Sequence, residues 1–134
     1  MIGLDTNVLI RYAVHDDKEQ TAAAQTALKK LTPAAPGFIT HVVLAEVWWV
    51  LTRTYKIERS HCCAFIADLL DTAEIRIEES DVARKALALA ESGADLADAL
   101  IAESGTYHGC DSTITFDTRA INKAGLKPVE SFIS

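Results

Sequence analysis

Short apolar runs alternate along the chain with longer stretches of helical spacing. The opening run MIGL predicts a buried strand at residues 1–4. NVLIRYAV then places Val8, Leu9, Tyr12 and Ala13 on one side of a first helix. Residues 17–32, rich in Ala, Gln and Lys, predict a second helix, stopped near Pro33. PAAPG (33–37) is a loop, and GFIT (37–40) a second strand. Residues 41–55 form a third helix and Ser60 to Thr72 a fourth, with Ser60 as its N-cap. AEIRIE (73–78) alternates as a strand does. SDVARKALALAES opens with a capping residue and continues as a helix, and ADLADALIAESGTY is another. STITF (112–116) predicts a strand, followed by a short helix from Asp117 and an edge strand at residues 128–133. Short strands alternating with helices imply an α/β fold with a largely parallel sheet. No repeat, biased tract or linker divides the chain, so residues 1–134 read as a single domain.

Composition narrows this picture. A chain of 134 residues buries roughly two thirds of its extended surface. The net charge of −6 excludes a simple basic glove for nucleic acid. It leaves nucleic-acid chemistry open, because bound metal ions reverse the local charge of a site. The cysteines, Cys62, Cys63 and Cys110, are odd in number and two are adjacent, which suits a reducing compartment. No apolar run has membrane-spanning length, and MIGLDTN lacks the regions of a signal peptide. A soluble cytoplasmic protein is expected.

Candidate chemistry begins at VVLAEVWWVL (42–51), where Glu46 is the one charged residue. Burying an unpaired carboxylate there would cost several kcal/mol, roughly, even after relaxation. Glu46 therefore either reaches solvent along one stripe or meets something positive. Three further acids have similar surroundings. Asp5 ends the first strand in IGLDTN, and Asp117 ends a late one in ITFDTR. Asp98 lies in ADLADALIA, with Asp95 at i−3 on the same helical face. Plainer roles exist for each. Asp5 and Asp117 are good N-caps, and Asp95 and Asp98 would suit a solvated stripe. Four such carboxylates are more economically explained by one shared site. Clustered carboxylates repel unless a cation joins them. Oxygen-only donors suit Mg²⁺ or Mn²⁺, and acids on such ions equip a protein for phosphodiester hydrolysis.

LDTNVLI, VVLAEVWWVL, ADLADALIA and TFDTRAI, in this order, resemble a PIN-domain ribonuclease. The resemblance runs from residue 2 to about residue 130 and is closest to VapC-type toxins of bacterial toxin–antitoxin pairs. It implies a compact α/β/α domain around a central, mainly parallel sheet. It also implies that Asp5, Glu46, Asp98 and Asp117 surround one or two divalent metals and catalyse RNA hydrolysis. Thr6, Asn7 and Thr115 match polar supports beside these acids, and Asp95 matches an acid of some members, ranked below Asp98. A small inhibitory antitoxin and a homodimer are the implied partners. Glu103 and Gly105 depart from the pattern, and a glycine there is expected to loosen the helix.

Other readings compete with this one. His61, Cys62 and Cys63 invite a zinc site, but consecutive helical residues point about 100° apart. His15 and His41 have no Ser or Cys partner in a hydrolytic motif. Arg11 and Arg119, close behind Asp5 and Asp117, are either RNA-phosphate contacts or surface charges. A phosphoacceptor signalling domain would need a central-strand Asp and a late strand-end Lys, and neither is present. A non-catalytic PIN-like binding module would be expected to have lost an acid. Finally, Trp48 and Trp49 point in different directions, so the third helix is either sandwiched between the sheet and a neighbouring helix or, with Leu9 and Tyr12, completed in part by another chain.

Overall fold

The computed structural model describes all residues from Met1 to Ser134. The chain forms two units, Met1–Ser80 and Asp81–Ser134.

The first unit carries strands β1 (Ile2–Gly3), β2 (Gly37–Ile39) and β3 (Ile75–Ile77). They pair in parallel in the order β1-β2-β3, with Ile2 opposite Gly37 and Ile39 opposite Ile77. Parallel neighbours need long crossovers. Helices α1 (Thr6–Ala13) and α2 (Lys18–Lys29) provide the first. Helices α3 (His41–Trp49) and α4 (Arg59–Asp71) provide the second. Thr40 caps α3 by accepting from the Val43 N–H at 3.1 Å. The third helix runs on through a π-helical turn, Val50–Thr54, closed by Tyr55 N–H to Val50 O at 3.1 Å. Helix α4 starts one residue before the expected cap, with Glu58 rather than Ser60 in the N-cap position. Leu9, Ile39, Leu44, Val47, Leu51 and Ile66 form the centre of this unit's core.

The second unit contains α5 (Ser80–Glu91, entered at the boundary), α6 (Leu96–Tyr107), β4 (Ile114–Thr115), α7 (Thr118–Ala124), β5 (Lys127–Pro128) and α8 (Glu130–Ile133). Its core is small-sided, built on Val82, Ala86, Ala90, Ala99, Leu100 and Ala120. β4 and β5 pair in parallel. Gly125 closes α7 at φ 77°, a left-handed conformation that glycine adopts freely. Gly105 has a different role from the one expected. The helix continues past it to Tyr107, and a Cβ at Gly105 would lie 2.7 Å from the Thr113 hydroxyl. Its bare backbone lets Thr113, just before β4, approach α6.

The α/β class with parallel pairing holds. The strands are short and fall into two ladders, three strands and two, rather than one continuous sheet. The edge strand expected at residues 128–133 is a strand only at Lys127–Pro128 and then a helix. The Val129 N–H still pairs with Thr115 O at 3.2 Å. Beyond it, Phe132 N–H turns back to Val129 O at 3.0 Å and Ser134 N–H to Glu130 O. Glu130 in the first turn favours this helical ending.

Candidate metal and nucleic-acid site

In the first unit, Asp5 occupies the N-cap position of α1 in an extended conformation, yet its side chain accepts no bond from the helix. The capping role open to it from sequence is therefore not the one it performs. The next residue, Thr6, is only 7% exposed, and its hydroxyl donates to Glu46 Oε1 at 3.0 Å. Helix α1 packs on α3 at this place. Thr6 thus ties Glu46 to the end of β1. Asn7, by contrast, is exposed on α1.

Glu46 itself lies on the solvent-facing side of α3, with Val42 and Trp49. The first of the two fates open to it is the observed one. The tryptophans divide. Trp48 is 3% exposed, with the Arg59 guanidinium 5.4 Å from its ring centroid. Trp49 is 55% exposed. Leu9, which the second of the two readings of this helix places on a surface shared with another chain, is fully buried within this one, whereas Tyr12 is exposed.

In the second unit, Asp95 does not share the α6 face with Asp98. It is the N-cap, and its Oδ2 accepts from the Asp98 N–H at 3.1 Å. The sequence pattern overextended the helix by two residues, which converted a cap into a face residue. Asp98, half-buried in the first turn, has its carboxyl pushed above the usual range. Burial is the main cause, the charges of Asp95 and Asp117 add to it, and Arg119 opposes it. Asp117 caps α7 through Oδ1, which accepts from Arg119 N–H at 2.8 Å and Ala120 N–H at 3.2 Å. Thr115 supports it by accepting from the Asp117 N–H at 3.0 Å. For Asp117 the cap and a second role are compatible, because Oδ2 takes no part in capping.

The two arginines differ. Arg11 is engaged within the protein, with Asp16 at 3.0 Å, Gln20 at 2.6 Å and the Tyr55 hydroxyl at 3.2 Å. Arg119 is exposed beside Asp98 and Asp117. Cys62 and Cys63 are buried in α4, and burial pushes the Cys62 thiol up, so they serve as packing groups. A cavity of about 500 Å³, which no sequence motif announced, is lined by Tyr12, Leu28, Phe65, Leu69 and Ile75. It lies at the start of β3, whereas Asp5 lies at the end of β1.

No three His, Cys, Asp or Glu side chains are gathered as an ion-holding group. The structure associates Thr6 with Glu46, and Asp98 with Asp95 and Asp117. The chemistry of these donors nonetheless fits a hard divalent cation, since all are oxygens. Asp98, whose carboxyl is pushed up by burial and then by its acidic neighbours, is in the electrostatic condition that a cation relieves.

A family model described as the PIN domain matches residues 2–126. No curated protein matches the chain.

Proposed function

The chain belongs to the PIN domain family, whose members are typically metal-dependent nucleases, and from that premise we propose that it is a ribonuclease acting as the toxin of a toxin–antitoxin pair. Asp5, Glu46, Asp98 and Asp117 are the residues assigned to hold Mg²⁺ or Mn²⁺ and to carry catalysis. Such an ion supplies transition-state charge stabilisation and a water-derived nucleophile at neutral pH. The protein's own residues do the positioning. Thr6 fixes the rotamer of Glu46, and the N-terminal amides of α7 fix that of Asp117. Arg119 stands ready for a substrate phosphate. The observation that carries this reading is Asp98, a half-buried carboxyl crowded by Asp95 and Asp117 at a helix start. Perturbed acids of this kind are characteristic of functional sites.

Residues 1–134 are proposed to work as one domain, a reading supported by a family match that crosses the boundary between the two units. No helix is long and apolar enough to cross a membrane. The three free cysteines suit action in the cytoplasm. The proposed partners are a second copy of the chain and a small antitoxin that covers the acids. A second reading, a non-catalytic RNA-binding module, is favoured by the lack of a gathered three-acid group. Purified protein incubated with single-stranded RNA, with Mn²⁺ or Mg²⁺ and with excess EDTA, separates the two. Cleavage in metal that stops in EDTA supports the ribonuclease. RNA binding without cleavage supports the module.

A further inference from the structure

Helix α3 buries Leu44, Val47 and Trp48 and turns a separate face to solvent. On that face Val42 is 70% and Trp49 55% exposed, with Glu46 between them. Val42 and Trp49 are seven residues apart and so lie within about 20° of each other around the axis. Trp49 sits about 4.5 Å beyond Glu46 along it. One turn further, in the π-helical segment, Arg53 is exposed and forms no ion pair with the protein's acids. The order along the face is therefore apolar Val42, carboxylate, indole, guanidinium.

We propose that Trp49 is a nucleobase-stacking platform that seats single-stranded RNA beside Glu46, with Arg53 holding the neighbouring phosphate. This rests on the ribonuclease reading, which places Glu46 at the reacting phosphate. A strand reaching Glu46 has to pass over the residues next to it on the same helical face. The acidic chain, at net charge −6, gives no general attraction to a polyanion. Affinity must then come from short-range contacts, and stacking is one that like charge does not weaken. Aromatic side chains stack any base, so the platform supplies grip and positioning rather than sequence readout. Trp49 is suited to this by being exposed, while its neighbour Trp48 is held in the core under Arg59. Arg53 supplies the charge that stacking lacks, at a separation of one helical turn from the indole.

The test measures binding of a short single-stranded RNA in EDTA, apart from any cleavage. Because Trp48 is buried, RNA-dependent quenching of tryptophan emission reports on Trp49. Expected is saturable quenching, and an affinity, followed by anisotropy of labelled RNA, that falls about 5- to 100-fold in Trp49→Ala. Trp49→Phe, which keeps a ring, should stay within about threefold of the parent. Arg53→Ala should make the salt dependence of binding shallower by about 0.7 in log–log slope. Unchanged affinity in Trp49→Ala, or RNA that leaves the emission unaltered, overturns the proposal. So does a Trp49→Ala protein whose sedimentation changes while its RNA affinity does not, since a second copy would then cover this face. Loss of metal-dependent cleavage in the parent protein, with quenching intact, would sink the ribonuclease reading and leave the platform standing.

Discussion

Asp98 and Asp117 are single side chains asked to do two things, and substitution separates them. Asp98 has a folded-state pKa raised by burial and by its acidic neighbours. Its protonated form therefore favours the fold below the unfolded pKa, and that contribution is lost as pH rises through the folded value. In metal-free buffer at neutral pH, Asp98→Asn should melt at a higher temperature than the parent. The gain should vanish below about pH 3, where the parent's aspartate is protonated in both states. The same substitution should lower RNA cleavage by about 100-fold or more. Divalent-ion affinity should weaken as pH falls toward the raised pKa, because the ion must displace a proton; calorimetric titration at two pH values checks this. For Asp117, Asn keeps the capping oxygen and Ala does not. Asp117→Asn should lose cleavage with little change in stability, whereas Asp117→Ala should lose cleavage and about 1 kcal/mol in denaturant unfolding. At this scale the sequence was informative because a charge in apolar company is costly wherever it is found. It could not reveal that Asp5 leaves its helix uncapped or that Asp95 is a cap, since both depend on where α1 and α6 begin.

Elements were legible where periodicity was long and obscure where it was short. Helices α2 and α5 lie within about three residues of their expected ranges, and the third helix does so once its π-helical turn is counted. The two-residue strands β1, β4 and β5 carry no period of their own, and the apolar residues after Pro128 do not distinguish a strand from the short helix found there. Gly105 shows the same limit from another side. Helix propensity marks it as a weakness, whereas the fold uses its missing side chain to admit Thr113. Gly105→Ala gains helix propensity but meets a β-branched neighbour that turns with difficulty. The net effect should be destabilising by about 1 kcal/mol in urea unfolding. In a Thr113→Ala background the same change should become neutral or stabilising, and a cycle of the four proteins reads the coupling. Equal cost in both backgrounds would show that the close approach does not matter. The placement of Trp49 on the open side of α3 was likewise hidden, because a helix apolar nearly all round gives no phase from which to choose its buried face.

For the whole molecule, the family match runs across the boundary between the two units, Met1–Ser80 and Asp81–Ser134. If they act as one domain, thermal unfolding followed by circular dichroism and by tryptophan emission should give coincident transitions. Both tryptophans lie in the first unit, whereas helices occur in both. Two separated transitions would mean that the units fold independently. Light scattering at micromolar concentration should give the mass of a dimer, and a stable monomer would remove the second copy from the proposed partners. The central claim is that the chain is a metal-dependent ribonuclease, and it is tested most directly by assaying the purified chain against single-stranded RNA. Mn²⁺ or Mg²⁺ should support cleavage, excess EDTA should stop it, and Glu46→Gln and Asp98→Asn should each abolish it. Cleavage that persists in EDTA, or that survives loss of either acid, would contradict the claim.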